Sequence, residues 1–288
     1  MPTANSYGAL LDALRGVSWP ARRVVRGATM GTHRSRLRGV SPEFTEYRPY
    51  RPGDDPRTID WKLLARTDRA YRRITADRAT RGTIVLVDAS ASMDYPAGAN
   101  AKWEHACRLA VGLVAVSYAA GDPVGLVIPT SGGPRSLAPR TRRGVVAESA
   151  RLLAELAPGG AVPLAPAIAH VKRGFRIAVI SDFLGDAEPL RRAAQERIIG
   201  GGEVEAVHVV AREELTPPDA SVMATDPEAP EMRRALVEAT RGGYLAAFDA
   251  WRADLARAWR DVGAGYTEIV TDEPAEHAVR RVVRDVRA

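Results

Sequence analysis

From position 82 to the C-terminus, short continuous apolar runs alternate with amphipathic stretches, a pattern that predicts strands and helices in turn. Residues 83–88 (TIVLVD) are apolar and β-branched up to the closing acid, which predicts a parallel strand buried on both faces. Residues 101–120 carry apolar side chains on most faces and stop at Gly121, which predicts a largely buried helix. Further strands are predicted at 124–128, 176–181, 204–211 and 266–271, with a short edge strand at 135–138 after the turn Ser131-Gly132-Gly133-Pro134. Helices are predicted at 142–157, around 166–173, at 187–199 up to the stop Gly200-Gly201-Gly202, at 246–262 and at 274–287. Residues 212–230, with four prolines and several acids, read as a surface excursion. About six strands alternating with helices define an α/β fold, a doubly wound and mostly parallel sheet with helices on both faces.

Residues 1–81 have a different texture. A short helix-like start gives way to extended sequence rich in Arg and Pro, densest over 45–74, with too few periodic apolar positions for a separate core. The chain therefore divides into 1–81, a basic N-terminal layer packed on the sheet, and 82–288, the sheet domain. Charge follows the same division. The net +6 of the 288-residue chain combines +9 in residues 1–81 (16 Arg and Lys62 against eight acids) with −3 in the remainder. Only Lys62, Lys102 and Lys172 among the 41 cations are lysine, and Arg beside so much Ala reflects a GC-rich genome as readily as phosphate recognition. No stacking aromatics are interleaved with the basic residues, so solvated or intramolecular pairing is favoured over nucleic-acid binding.

The lone Cys107 excludes an intrachain disulfide framework and a multi-cysteine metal site. The longest apolar stretch, 109–120, is interrupted by Gly112, Ser117 and Tyr118 and falls short of the roughly 20 residues a membrane span needs. The first residues lack the basic-then-apolar order of a secretory signal, so a soluble cytoplasmic protein is expected.

The sequence Asp88-Ala89-Ser90-Ala91-Ser92 falls where the first central strand ends, the end at which open α/β sheets bind ligands. One carboxylate and two hydroxyls at i, i+2 and i+4 either cap the following turn or offer three hard oxygens to a cation such as Mg²⁺ or Mn²⁺. A second strand ends in Asp182 (VISDF), and adjacent strand ends would bring the two acids together. DASAS followed about ninety residues later by VISDF resembles a von Willebrand factor A domain and its metal-ion-dependent adhesion site. YRPYRPGDDPRTIDWKLLAR (47–66) resembles the signature of the bacterial family called domain of unknown function 58, in which a von Willebrand A-like domain follows. HRSRLRGVSPEF (33–44) and WRADLARAWRDVGAGYTEIVTDEP (251–274) fit the two ends of that family pattern.

The resemblance implies a von Willebrand factor A, Rossmann-like sheet, with Asp88, Ser90 and Ser92 as first-loop metal ligands and Asp182 as the acid from the fourth strand. It also implies a threonine after a glycine pair in the second loop, where this chain reads Gly159-Gly160-Ala161-Val162-Pro163 and has no threonine between Thr141 and Thr216. One ligand is thus missing, and Mg²⁺ or Mn²⁺ is expected to bind weakly or not at all. In GDDPRTIDW, Gly53 permits a tight turn, Asp54, Asp55 and Asp60 stand near Arg51, Arg57 and Arg66 in an expected ion-pair network, and Trp61 offers an apolar body to dock the loop. A catalytic acid cluster or a partner-docking edge is the alternative for this block. Cys107 reads as a core residue and His208, inside a strand, as core or sheet face, and His33, His105, His170, His208 and His277 lack metal-ligand spacing.

No nucleophile with its own base is visible. The expected function is a non-enzymatic interaction module. The resemblance further implies an adaptor or co-chaperone of a MoxR-type AAA+ ATPase, docking through the degenerate metal site. The alternative is a haloacid dehalogenase-like phosphatase or phosphotransferase using Asp88, although such sites carry a second carboxylate where this chain has Ser90.

Overall fold

Runs that are apolar on both faces must be covered on both faces, and the chain does this with two layers of helices around one sheet. The computed structural model describes residues 7–19, 44–51, 56, 59–75, 81–96, 101–185, 187–217, 222–225, 233–236 and 238–284. In chain order its elements are α1 (Gly8–Ala13), β1 (Phe44–Pro49), α2 (Trp61–Thr67), β2 (Tyr71–Thr75), β3 (Thr83–Val87), α3 (Ala101–Ala119), β4 (Val124–Ile128), β5 (Arg135–Arg140), α4 (Val145–Ala154) and α5 (Ala165–Ala169). There follow β6 (Arg176–Ser181), α6 (Ala187–Ile199), β7 (Glu203–Val210), α7 (Arg212–Leu215), β8 (Val222–Thr225), β9 (Arg233–Leu236), α8 (Glu238–Asp261), β10 (Gly265–Val270) and α9 (Ala275–Arg284). Two compact units result, one of residues 1–26 with 81–288 and one of residues 27–80.

In the larger unit six described strands pair in the order β10-β7-β6-β3-β4-β5, all parallel except β5, which runs antiparallel to β4. Counted along the chain this is the order 3-2-1-4-5-6, with the connection reversing direction between β3 and β6. The doubly wound, mostly parallel sheet of von Willebrand factor A type is therefore what forms. The period of two assigns alternate residues to opposite cores. Val85 and Val87 of β3 and Ala178 and Ile180 of β6 pack with α3, α4 and α9, whereas Leu86, Ile177 and Val179 face the layer of α5, α6 and α8. Helix α9 buries Ala275, Ala278, Val279, Val282 and Val283, an i, i+3, i+4, i+7, i+8 stripe.

Side chains from the described segment 7–19 belong to this core. Tyr7, Leu10, Leu14 and Trp19 are buried with the α3 and α9 side chains. Arg176, at the start of β6, holds them in place. Its Nη1 donates to the Trp19 carbonyl at 3.1 Å, its guanidinium lies 4.4 Å from the Trp19 ring centre, and its Nε donates to Glu203 at 3.1 Å. A buried guanidinium that satisfies a carboxylate, a carbonyl and an aromatic face at once meets the requirement that buried charge be paired.

In the smaller unit β1 and β2 form an antiparallel ladder around α2. Asp60 is the N-cap of α2, its Oδ1 accepting from the Lys62 and Leu63 amides at 3.1 and 3.0 Å. Arg66 stands in the last turn of α2, where a cation suits the helix C-terminus. Gly53, Asp54, Asp55 and Arg57 lie outside the described residues. Trp61 is the first residue of α2, whose start is set by the Asp60 cap.

Two expectations change. Residues 212–230 hold α7 and β8, and β8 pairs with β9 in an antiparallel ladder of its own. Helix α8 begins at Glu238, earlier than the predicted start at 246, and runs through Gly242-Gly243.

Candidate functional site

The structure brings Asp88, Ser90, Ser92 and Asp182 together at the carboxyl ends of β3 and β6, which are neighbours where the strand order reverses. The Asp88 amide still extends the ladder, donating to the Ile180 carbonyl at 2.9 Å. Its carboxylate then turns inward. Oδ1 accepts from the Ser90 amide at 2.8 Å and Oδ2 from the Ser181 hydroxyl at 2.6 Å. The Ser90 and Ser92 hydroxyls lie 3.1 Å apart, and Ser92 Oγ donates to Asp182 Oδ1 at 3.2 Å. All of these side chains are buried. Burial, and after it the charge of Asp182, hold the Asp88 carboxyl above the usual carboxylate range, against the bonds from Ser181 and Ser90. Just beyond, Phe183 takes a left-handed backbone (φ 52°), rare for a bulky residue, and its ring packs against Trp259 and His208.

Two charged residues that sequence reasoning passed over complete the cluster. Lys102, at the start of α3, is 1% exposed, and its Nζ donates to Asp182 Oδ2 at 3.0 Å and to Glu214 Oε1 at 2.7 Å. Glu214, in α7, uses its other oxygen to accept from the Ala211 amide at 2.7 Å. Burial opposes the Lys102 charge, yet the carboxylates of Asp182 and Glu214 outweigh it and hold the ammonium above its ordinary value. A signal for Lys102 does exist in the sequence. A cation in the first turn of a helix opposes the macrodipole, so a lysine there needs a local anion to justify it. Nothing comparable marks Glu214, whose partner is 112 residues away.

The second loop closes the site from the other side. The Gly159 amide donates to the Ala89 carbonyl and the Ala91 amide to the Gly160 carbonyl, both at 2.8 Å, so the glycine pair lies against the first loop. The next residues bring carbon instead of oxygen: Ala161, Val162 and Leu164, with Phe183 and Leu190, wall a cavity of about 290 Å³ that Asp88, Ser90 and Ser181 also line. These residues do not fit Mg²⁺ or Mn²⁺. An ammonium already sits on Asp182, the Ser92 hydroxyl is bonded to the same carboxylate, and the second loop turns Ala161 and Val162 to the site where a further oxygen ligand would stand.

Cys107 and His208 lie in the core as expected. Burial pushes the Cys107 thiol far above its ordinary range, and His208 Nδ1 lies 2.6 Å from the Tyr266 hydroxyl. Among the described residues no helix is long and apolar enough to cross a membrane.

A protein of this architecture, with oxygen-bearing loops at the switch point of the sheet, is a von Willebrand factor A-like α/β domain. The family model described as "Protein of unknown function DUF58" matches residues 46–254, and the chain belongs to that family. It is 32% identical over 276 residues to the uncharacterized protein Rv1480 of Mycobacterium tuberculosis, covering 91% of this chain and 85% of that one. Among solved structures it is similar to the conserved hypothetical protein BatB from Bacteroides thetaiotaomicron (TM-score 0.44, 17% identity, 72% of this chain and 98% of that one). It is also similar to the SpRpn10 VWA domain (TM-score 0.38, 14% identity, 69% and 93% covered).

Proposed function

We propose that the chain is a non-enzymatic interaction module that works in the cytoplasm as an adaptor of a MoxR-type AAA+ ATPase, docking through the loops at the ends of β3 and β6. The observation that carries this reading is the cavity beside Asp88. It joins an apolar wall (Val162, Leu164, Phe183, Leu190) to a polar floor (Asp88, Ser90, Ser181), the combination that receives one apolar side chain and fixes its neighbouring donor. Chemistry has less support there. The Ser92 hydroxyl is spent on Asp182 and the Ser181 hydroxyl on Asp88, with no histidine in either chain of bonds. Asp88 itself has both oxygens engaged in hydrogen bonds from Ser90 and Ser181, and the residue two positions on is Ser90 where the phosphatase reading needs an acid.

Affinity of the purified chain for the MoxR-type ATPase of its own genome, measured by biolayer interferometry in ATP, ADP and no nucleotide, tests the proposal. Val162→Asp puts a charge into the apolar wall and should weaken binding at least tenfold, a loss of about 1.4 kcal/mol. Asp88→Ala should weaken it by a similar factor. No association in any nucleotide state would overturn the partner, and phosphoester hydrolysis that disappears in Asp88→Asn would restore the phosphatase.

A further inference from the structure

We infer that the ammonium of Lys102 is the built-in cation of this site, standing where a divalent ion would otherwise balance the acids, so that the strand-end loops hold their shape without metal. The inference concerns the same loops as the proposed docking, and it fixes how they are held together.

Three observations carry it. First, Lys102 is among the largest fully buried side chains of the protein, and its Nζ bonds two carboxylates that come from different elements, Asp182 after β6 and Glu214 in α7. A helical side chain leans toward the N-terminus of its helix, so a lysine in the first turn of α3 is the residue whose head reaches the strand ends. Second, three of the four side chains a metal would take are already linked in one chain of bonds: Ser90 and Ser92 share a hydrogen bond, Ser92 donates to Asp182, and Lys102 donates to Asp182. A hard divalent ion on Asp182 would have to enter beside a fixed positive charge and break bonds on at least one member of that chain. Third, the loop that should supply another oxygen supplies Ala161 and Val162, which line the cavity with carbon. An ammonium needs only two or three acceptors, whereas Mg²⁺ demands near-octahedral oxygen coordination, so the loss of one ligand is tolerable for Lys102 and not for the metal. The remaining face of the ammonium lies 5.4 Å from the centre of the Tyr95 ring, a further contact suited to an organic cation.

The three-lysine composition makes the test direct. In ¹⁵N-lysine-labelled protein, Lys62 and Lys172 are exposed and their ammonium protons exchange rapidly, whereas Lys102 should give one slowly exchanging ammonium signal. Millimolar Mn²⁺, a paramagnetic probe, should leave that signal sharp, and the melting temperature of the wild-type protein should be unchanged by Mn²⁺ or by a chelator. Lys102→Met leaves two carboxylates without their cation. It should melt lower than wild type, bind Mn²⁺ at least tenfold more tightly, and recover part of its melting temperature when Mn²⁺ is added. Adding Ala161→Thr to Lys102→Met should tighten Mn²⁺ further. Broadening of the Lys102 signal by Mn²⁺, the absence of a slow signal, or equal Mn²⁺ affinity in wild type and Lys102→Met would each overturn the inference. If Lys102→Met does not fold, the wild-type spectrum decides alone. Metal binding by wild type would leave partner docking intact, and failure to bind the ATPase would leave the ammonium signal where it is, so the two readings fail separately.

Discussion

His105, one helical turn beyond the site lysine's neighbour Ala101, is buried on α3 with an imidazole whose Nε2 has no hydrogen-bond partner among the described residues. Burial, and then the charge of Arg108, lower its pKa to about 4, against a smaller opposing pull from Asp272. The unfolded chain binds this proton near the ordinary histidine value, so the stability gained from a neutral His105 is complete above about pH 6.5. It is lost as pH falls from there to about 4, by on the order of 3 kcal/mol in total. Asp88 acts in the opposite sense: its raised pKa makes its ionisation a cost that grows as pH rises through the folded value. Urea unfolding from pH 7 to 4 isolates the histidine if wild type is compared with His105→Leu, whose stability should fall less steeply over that window. Equal slopes would mean that His105 is solvated or paired. Legibility at this scale follows sequence locality. Asp88, Ser90 and Ser92 sit in one pentapeptide, and Asp182 ends a recognisable strand, so pattern reached all four. Glu214 sits in a proline- and acid-rich stretch that resembles any solvated loop, and only the three-dimensional approach to Lys102 reveals its part.

Elements were legible where burial on both faces wrote a continuous apolar run. The strands 124–128 and 176–181 and the helix 187–199 form with the bounds their pattern predicts. Where tertiary context overrides a local preference, the pattern misleads: α8 passes through Gly242-Gly243, and the excursion after β7 folds into α7 and part of the β8–β9 ladder despite Pro217 and Pro218. Glycine inside α3 is the informative exception. At Gly112 the helix passes so close to α9 and α1 that a Cβ would stand 2.7 Å from Val279 Cγ2 and 3.2 Å from Leu14 Cδ1. Alanine gains roughly 1 kcal/mol of helix propensity over glycine, but overpacking against a stiff β-branched neighbour costs about 1–3 kcal/mol. The packing term wins, so Gly112→Ala should lower stability by about 1 kcal/mol or more, read as a reduced denaturant midpoint at constant m-value. Val279→Ala in the same chain removes the opposing methyls and should recover much of that loss, a non-additivity that marks direct contact. Strict additivity of the two substitutions would show that α3 and α9 do not meet at Gly112.

At the scale of the whole molecule the larger unit is discontinuous in sequence, built from residues before position 27 and after position 80. The four apolar side chains Tyr7, Leu10, Leu14 and Trp19 are buried in the same core as Leu109, Leu113 and Val279. Each such side chain, fully buried, contributes roughly 1.5–3 kcal/mol, so together they supply on the order of 6–12 kcal/mol of gross stabilisation. That is comparable to the entire net stability of an ordinary domain, about 5–15 kcal/mol. The loss reaches the sheet as well, because Arg176 would lose the Trp19 carbonyl and ring that its buried guanidinium contacts. Arg280, which donates to the Ala13 carbonyl, would lose its partner too. A chain begun at Gly82 should therefore be largely unfolded or aggregate, although it retains all six strands of the sheet and every oxygen of the candidate site. A chain that keeps residues 1–26 and joins them to Arg81 through a flexible Gly/Ser segment should fold, melt cooperatively and show the same slowly exchanging Lys102 ammonium signal. Differential scanning calorimetry of the two chains beside the full protein separates the possibilities. A cooperative transition in the Gly82 chain within a few degrees of the full protein would mean that the N-terminal segment decorates the core without being part of it.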